Sequence, residues 1–311
     1  MRIVLTDKDF TGFEFPKDVE IKKVNLKSLD QYNNNSNVRA IAGSRAMAIK
    51  CADMNLSGLK LFQLTSAGFD GVPLNKYAKS GVAVANAGNV YSVPIAETVV
   101  FGMLSVAKRL RKNPNNRHFK ITRGYSLITE LADKKVLIMG AGNIGTAVAD
   151  RLKGFDMLID GYDPFCSEKP QYNKIIRNRL ELIKSICEYD YIVSTMPDNE
   201  QTKNFINKEL FDDMNSNAVI INVGRKAVFQ SNDFYNALRT KKIGGAVLDM
   251  FEKIPNPVTN KFRRLSNVVV LPGVAAISKE VNIRLRKHMY ENVMALLNNE
   301  PIKCVISGGN D

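Results

Sequence analysis

Short runs of β-branched and other apolar residues alternate along this chain with polar or amphipathic segments, and that alternation predicts its architecture. Arg2–Thr6, Val38–Ala42, Leu59–Leu64 and Val82–Ala85 read as strands, with segments such as Met47–Asn55 and Pro73–Ser80 between them. Asn33-Asn34-Asn35 marks an exposed turn. The pattern restarts at Lys135. Lys135–Met139 is nearly all apolar, as expected of a strand buried on both faces. Met157–Tyr162, Tyr191–Thr195, Ala218–Val223, Gly245–Leu248 and Val268–Leu271 follow as further strands. Strands separated by helical segments predict parallel sheets with helices packed on them.

Between the two sets of strands, Ser92–Arg111 reads as one long helix. Ser92 is placed to cap it, Pro94 sits in its first turn, and Ile95, Val99, Met103 and Val106 follow helical spacing. A helix of this length is a natural bridge between domains. Asn113-Pro114-Asn115-Asn116 ends it inside a polar stretch, Lys108 to Arg123, that carries seven Lys and Arg and no acid. Ser278–Asn298 closes the chain as an amphipathic helix with Leu285, Met289, Val293 and Leu296 on one stripe. A chain of 311 residues exceeds what a single core usually supports, so two domains are expected.

Composition narrows the function classes. Hydrophobic residues make up 45% and charged residues 24%, which is ordinary for a folded protein and excludes a disordered or fibrous chain. The net charge of +13 suggests acidic partners, but no recognition motif or aromatic-interleaved basic stripe accompanies it, so no nucleic acid is expected. No apolar run is long enough to span a bilayer, so no membrane partner is expected either. Four scattered cysteines without a CxxC pair read as reduced thiols in a cytoplasmic protein, and the presence of only two histidines argues against a zinc site.

The clearest motif is Gly140-Ala141-Gly142-Asn143-Ile144-Gly145, set between the Lys135–Met139 strand and a helix read as Thr146–Gly154. Gly140 permits the tight turn, Gly142 lets the backbone approach a pyrophosphate, and Gly145 lets the helix pack close. Helix-start N–H groups, with Asn143 and Ile144 among them, then face the phosphates. Asp163 lies 18 residues beyond Gly145, at the end of the next strand. A carboxylate there accepts hydrogen bonds from ribose hydroxyls and repels an extra phosphate, which points to NAD rather than NADP as cofactor.

Several further stretches occur in order: Thr65-Ser66-Ala67-Gly68-Phe69-Asp70, Asn86 with Ile95-Ala96-Glu97, Ser194-Thr195-Met196-Pro197 with Gln201-Thr202, Ile221-Asn222-Val223-Gly224-Arg225, and Ala246-Val247-Leu248-Asp249-Met250-Phe251-Glu252. With these and the glycine motif the chain resembles the NAD-dependent D-isomer-specific 2-hydroxyacid dehydrogenases from about Val38 to Ile306. The resemblance implies an α/β fold of two Rossmann-like/flavodoxin-like doubly wound parallel-sheet domains with a cleft between them. Residues 1–98 with 276–311 would form the substrate domain, and residues 99–275 the NAD-binding domain. It also implies a homodimer assembled through the NAD-binding domain. The implied reaction is hydride transfer between nicotinamide and C2 of a small 2-hydroxy or 2-keto carboxylate.

On that resemblance Arg225 is the catalytic residue that grips the substrate carboxylate, a task suited to its planar fork. Backbone N–H groups near Ala67 and Gly68 complete carboxylate binding. Thr195, Met196, Pro197, Val223, Gly224, Arg225 and Asp249 line the cofactor. The family's acid–base His and its Glu partner are missing: Gly273 stands at the first position and Ile254 at the second. Losing both together is coherent, because the acid alone would be an unpaired charge. Tyr91 and Lys226 are the candidate substitutes, with Tyr91 also expected near the substrate. The alternative is a catalytically silent NAD-binding protein with a regulatory or scaffolding role. His118, in the basic loop after the bridging helix, and His288, on a helical face read as exposed, are poor substitutes.

Overall fold

The computed structural model describes residues 1–109, 128–249 and 260–306. The chain divides into two compact units, Met1–Tyr91 with Ser278–Asp311, and Ser92–Ile277.

The first unit is built on strands β1 (Arg2–Thr6), β2 (Val19–Lys23), β3 (Val38–Gly43), β4 (Leu61–Leu64) and β5 (Ala83–Ala85), in the order β2-β1-β3-β4-β5. All four pairings are parallel. Both faces are covered, as the apolar runs require. Helices α1 (Arg45–Cys51) and α2 (Leu74–Lys79) place Met47 and Tyr77 against Leu5, Ile41 and Phe62. The opposite face carries Val4, Ala40 and Leu61, packed with Val293 of the closing helix, Lys279–Asn298. Two fully buried polar residues join that helix to the sheet: Asn292 donates to Gln63 Oε1 at 2.6 Å, and Gln63 donates to the Asn86 carbonyl at 3.0 Å.

The second unit adds β6 (Lys135–Met139), β7 (Leu158–Tyr162), β8 (Lys174–Ile176), β9 (Tyr191–Ser194), β10 (Val219–Asn222), β11 (Gly245–Leu248) and β12 (Val268–Val270). They form a seven-stranded sheet ordered β12-β11-β10-β9-β6-β7-β8, parallel throughout. Helices α3 (Ser92–Ala107) and α4 (Asn143–Leu152) pack on each other over one face, where Gly102 brings α3 against Val247. The other face buries Leu182, Phe211 and Phe234, carried by α5 (Arg179–Ser185), α6 (Lys208–Asp213) and α7 (Ser231–Arg239). The short α8 (Asn260–Arg263) precedes β12, and the closing helix Lys279–Asn298 is therefore α9. Both units are doubly wound α/β sheets, as the strand pattern predicts.

Four local expectations change. Ser92 lies inside the first turn of α3, and its Oγ is buried without a hydrogen-bond partner, so it does not cap the helix. The α3 helix ends at Ala107, and residues 110–127, with most of the basic stretch and His118, lie outside the described residues. Helix α4 begins at Asn143, three residues earlier than its apolar pattern suggests, because the glycine motif itself supplies the first turn. His288 is half-buried rather than exposed, with Nε2 2.9 Å from the Asn86 carbonyl.

Candidate active site

In the second unit the strand order reverses between β6 and β9, and the residues following those two strands meet there. Gly140 follows β6 with a φ of +97°, a conformation that favours glycine, and its N–H bonds the Tyr162 carbonyl at 2.8 Å. Thr195, following β9, donates its hydroxyl to the Gly140 carbonyl at 2.9 Å. Gly142 is the N-cap of α4 and no side chain caps that end, so the first N–H groups face outward. A Cβ on Gly142 would meet nothing within 4 Å, whereas one on Gly145 would lie 2.0 Å from the Gly140 carbonyl oxygen. Gly142 and Asn143 are exposed, and Ile144 is half-buried beside them. This is an open cradle of backbone donors at a helix start, and it fits a pyrophosphate.

Asp163 stands directly after β7. Its carboxylate accepts from the Ala141 N–H and the Phe165 N–H, both at 3.0 Å. The Ala141 peptide is held from its other side as well. Lys169 Nζ donates to its carbonyl at 2.6 Å and to Thr146 Oγ1 at 3.2 Å. The glycine loop is therefore pinned by an acid and a cation, and the sequence alone does not single out Lys169. Its only signal there is a basic side chain in the loop that follows Asp163.

Met196 is buried and Pro197 exposed. Gly224 follows β10 closely enough that a Cβ would come within 2.9 Å of the Met196 carbonyl oxygen. Val223 donates its N–H to the Ser194 carbonyl at 3.2 Å, and Gly224 its N–H to Asn222 Oδ1 at 3.1 Å. The next residue, Arg225, is half-buried in an extended conformation, with Nη1 3.2 Å from the Gly224 carbonyl. Lys226 beside it is exposed. Asp249 is buried after β11 and accepts from the Val274 N–H at 2.9 Å and the Ala275 N–H at 3.2 Å. It ties the end of β11 to the segment following β12. Gly273, at the start of that segment, has φ +74° and open space where a Cβ would stand. Glu252 and Ile254 lie outside the described residues.

In the first unit, Thr65-Ser66-Ala67-Gly68 follows β4; the first three carbonyls are taken up by the body of the unit and the fourth by the loop itself. Thr65 accepts from the Tyr91 hydroxyl, Ser66 from the Ala87 N–H at 3.0 Å, Ala67 from Asn86 Nδ2 at 2.9 Å, and Gly68 from Ser66 Oγ at 2.6 Å. Among the described residues the N–H groups of Ser66, Ala67 and Gly68 have no partner. With the carbonyls turned away, successive free donors make an anion-binding concavity. Tyr91 thus shapes this loop. Burial, then the negative charge of Asp7, pushes its phenol above the ordinary range. A tyrosine so held gives up its proton less readily, which weakens its case as the substitute acid.

Residues 100–275 match the model of the D-isomer specific 2-hydroxyacid dehydrogenase NAD binding domain. The chain belongs to this family. Among similar proteins, a D-3-phosphoglycerate dehydrogenase of Archaeoglobus fulgidus is 26% identical over 80% of this chain and 47% of its own length. A hydroxyphenylpyruvate reductase of Plectranthus scutellarioides is 29% identical over 95% of this chain and 92% of its own. The chain thus spans about half the length of the phosphoglycerate dehydrogenases it matches. A crystal structure of a D-isomer specific 2-hydroxyacid dehydrogenase family protein from Aeromonas salmonicida shares the fold, with a TM-score of 0.78 at 22% identity and 98% of each chain covered. The matched residues include the glycine cradle. No described helix is long and apolar enough to cross a membrane.

Proposed function

We propose that this protein is an NAD-dependent oxidoreductase that transfers hydride between nicotinamide and C2 of a small 2-hydroxy or 2-oxo carboxylate. The observation that carries the reading is the pinned glycine loop, with the uncapped start of α4 behind it and the Asp163 carboxylate at its side. Gly140, Gly142, Asn143, Ile144 and Gly145 would cradle the pyrophosphate. Asp163 would take the adenosine ribose, and Thr195, Met196, Pro197, Val223, Gly224, Arg225 and Asp249 would line the rest. When bound, the nicotinamide gives or accepts the hydride. Arg225 would grip the substrate carboxylate, since a guanidinium fork suits its planar oxygens, and within the first unit the free N–H groups near Ala67 and Gly68 are donors suited to a carboxylate. Similar proteins carry names such as glyoxylate/hydroxypyruvate reductase and hydroxyphenylpyruvate reductase, in keeping with a 2-oxo acid.

The proton for the new hydroxyl must come from a group other than the family's His, because Gly273 has no side chain. Lys226, exposed directly after Arg225, is the better of the two substitutes, since the Tyr91 hydroxyl already serves the Thr65 carbonyl. A cytoplasmic homodimer joined through the NAD-binding unit belongs to the same reading, and exposed Phe101 on α3 supplies apolar surface for it. A second reading, NAD binding without turnover, is favoured by one observation: Gly273 adopts a φ of +74°, a conformation in which a histidine would be strained.

The decisive experiment mixes the purified protein with NADH and a panel of 2-oxo acids while nicotinamide absorbance is followed. Oxidation of NADH by at least one acid is expected. Saturable NADH binding with no turnover on any acid would select the second reading, and absence of NADH binding would overturn both. A companion variant tests the ribose assignment. Asp163→Ala should weaken NADH binding and narrow the preference for NADH over NADPH about tenfold, the scale of one charge-assisted hydrogen bond. Because the same carboxylate also holds Ala141, the ratio of the two affinities is the telling quantity. An unchanged ratio would remove Asp163 from the ribose.

A further inference from the structure

Three consecutive peptides of the glycine loop dispose of their polar groups differently. In the first, the Gly140 carbonyl accepts the Thr195 hydroxyl at 2.9 Å and the Ala141 N–H goes to Asp163 at 3.0 Å. In the third, the Gly142 carbonyl accepts the Thr146 N–H at 2.9 Å, which opens α4. In the peptide between them the Ala141 carbonyl draws three donors: Lys169 Nζ at 2.6 Å, Thr146 Oγ1 at 3.3 Å and Cys166 Sγ at 3.7 Å. The other end of that same peptide, the Gly142 N–H, has no partner among the described residues. Ala141 is buried and Gly142 is exposed, with open space where a Cβ would stand.

A trans peptide is planar, so its C=O and N–H point in opposite directions. Holding the Ala141 carbonyl toward the protein therefore turns the Gly142 N–H outward. Lys169 makes the shortest of the three bonds and is the one cation among the donors. A charge-assisted bond to the carbonyl draws electron density from the amide and makes its N–H a stronger donor. Thr146 is neutral and belongs to α4 itself, and a thiol is a weak donor, so neither can take that part. The Lys169 backbone is itself held. Its carbonyl accepts the Tyr172 N–H at 3.1 Å, and the Pro170 carbonyl accepts Lys153 Nζ, just beyond α4, at 2.7 Å. Lys169 is half-buried and pairs with no acid among the described residues, so its charge is not neutralised within the protein.

We propose that Lys169 is a positioning residue for the cofactor: through its bond to the Ala141 carbonyl it aims and strengthens the Gly142 N–H as a donor to the pyrophosphate, a role that rests on the reading above that the glycine loop cradles that group. Asp163 and Lys169 then divide the work. The acid withdraws the Ala141 N–H from the donors a ligand meets, and the cation presents the next one. Lys169 acts through the peptide and need not touch the cofactor.

The test compares ADP-ribose, which carries the pyrophosphate, with adenosine, which does not, on the full chain at pH 7 by displacement of bound NADH. Lys169→Met should weaken ADP-ribose about tenfold, the scale of one charge-assisted hydrogen bond, and leave adenosine unchanged. Lys169→Arg keeps the charge and should retain most of the affinity. In protein labelled with nitrogen-15 glycine and free of ligand, the Gly142 amide nitrogen should move upfield in Lys169→Met, because its peptide is less polarised, and stay near its place in Lys169→Arg. Full ADP-ribose affinity in Lys169→Met would overturn the role of Lys169 and leave the cofactor site standing. Equal losses for ADP-ribose and adenosine, or an unmoved Gly142 resonance, would do the same and make Lys169 a general support of the loop. No ADP-ribose binding by the unaltered protein would overturn both readings. Should Lys169→Met fail to fold, Lys169→Gln, also neutral, decides in its place.

Discussion

Gly145→Val should abolish NADH binding: a fluorescence titration that saturates with the unaltered protein should show at least a hundredfold weaker response. An ideal Cβ at this position would lie 2.0 Å from the Gly140 carbonyl oxygen and 3.2 Å from Ile138 Cγ2. The first clash is with backbone, so no rotamer relieves it. The start of α4 must move away from β6, and the Gly140 carbonyl, which receives the Thr195 hydroxyl, must turn with it. That displaces the N–H groups expected to face the pyrophosphate. Overpacking of this kind costs about 1–3 kcal/mol of stability, so the midpoint of thermal unfolding should fall by several degrees. Gly142→Ala separates packing from binding. Its Cβ meets nothing within 4 Å, so the unfolding midpoint should barely change, while NADH binding should weaken if the pyrophosphate lies against that face as proposed. Gly154→Ala, also in open space but away from the loop, should leave both unchanged. Unimpaired NADH binding in Gly145→Val would mean that the glycine turn is structural only.

The contrast between Gly142 and Gly145 marks where sequence reading stops. The spacing of the three glycines, the buried strand before them and the acid after the next strand were all legible, because each follows from a local backbone requirement. The long central strands were legible for the same reason: Val136–Met139 and Ile220–Ile221 are apolar on both faces because helices cover both. The edges were not. Strand β2, Val19-Glu20-Ile21-Lys22-Lys23, is half-buried along most of its length and carries three charges, and β8 is three residues long. Neither has enough apolar surface to stand out.

What tertiary structure adds is the partner of each polar group. The Ser66–Gly68 loop could be picked out by resemblance, but its free N–H groups depend on Asn86, Ala87 and Tyr91, roughly twenty residues further along, turning its carbonyls away. Gln63 in an apolar strand and Asn292 on an apolar helix stripe did carry a signal. Each is a lone polar residue in a buried run, and they prove to bond each other. Asp7 carried none, since an acid after a strand is ordinary, and only its buried, unpartnered Oδ1 sets it apart. The net charge of +13 also looks different once positions are known. Lys169 faces the glycine loop and Arg225 follows β10, whereas Lys50, Lys76 and Lys208 pair with surface acids. Such exposed pairs contribute little stability.

Arg225→Gln should leave NADH binding and the unfolding midpoint nearly unchanged and weaken binding of 2-hydroxy acids by about 10²–10³-fold. The side chain is half-buried and follows Gly224, whose backbone is packed against that of Met196, so the backbone that carries the guanidinium is held in place. A hydrogen bond to a charged group contributes about 1.5–3 kcal/mol, and a forked guanidinium makes two to a carboxylate. Glutamine keeps the length and one donor but loses the charge and the fork. Arg225→Lys keeps the charge and loses the fork, so it should recover part of the affinity and fall between the two. The order Arg, Lys, Gln in acid binding, measured with NADH held at saturation, is what a carboxylate clamp requires. Parallel losses of NADH and acid affinity would instead make Arg225 part of the loop that holds the cofactor. Unchanged acid binding in Arg225→Gln would remove Arg225 from the carboxylate. A compound with an amide in place of the carboxylate should lose affinity for the unaltered protein but lose little more in Arg225→Gln.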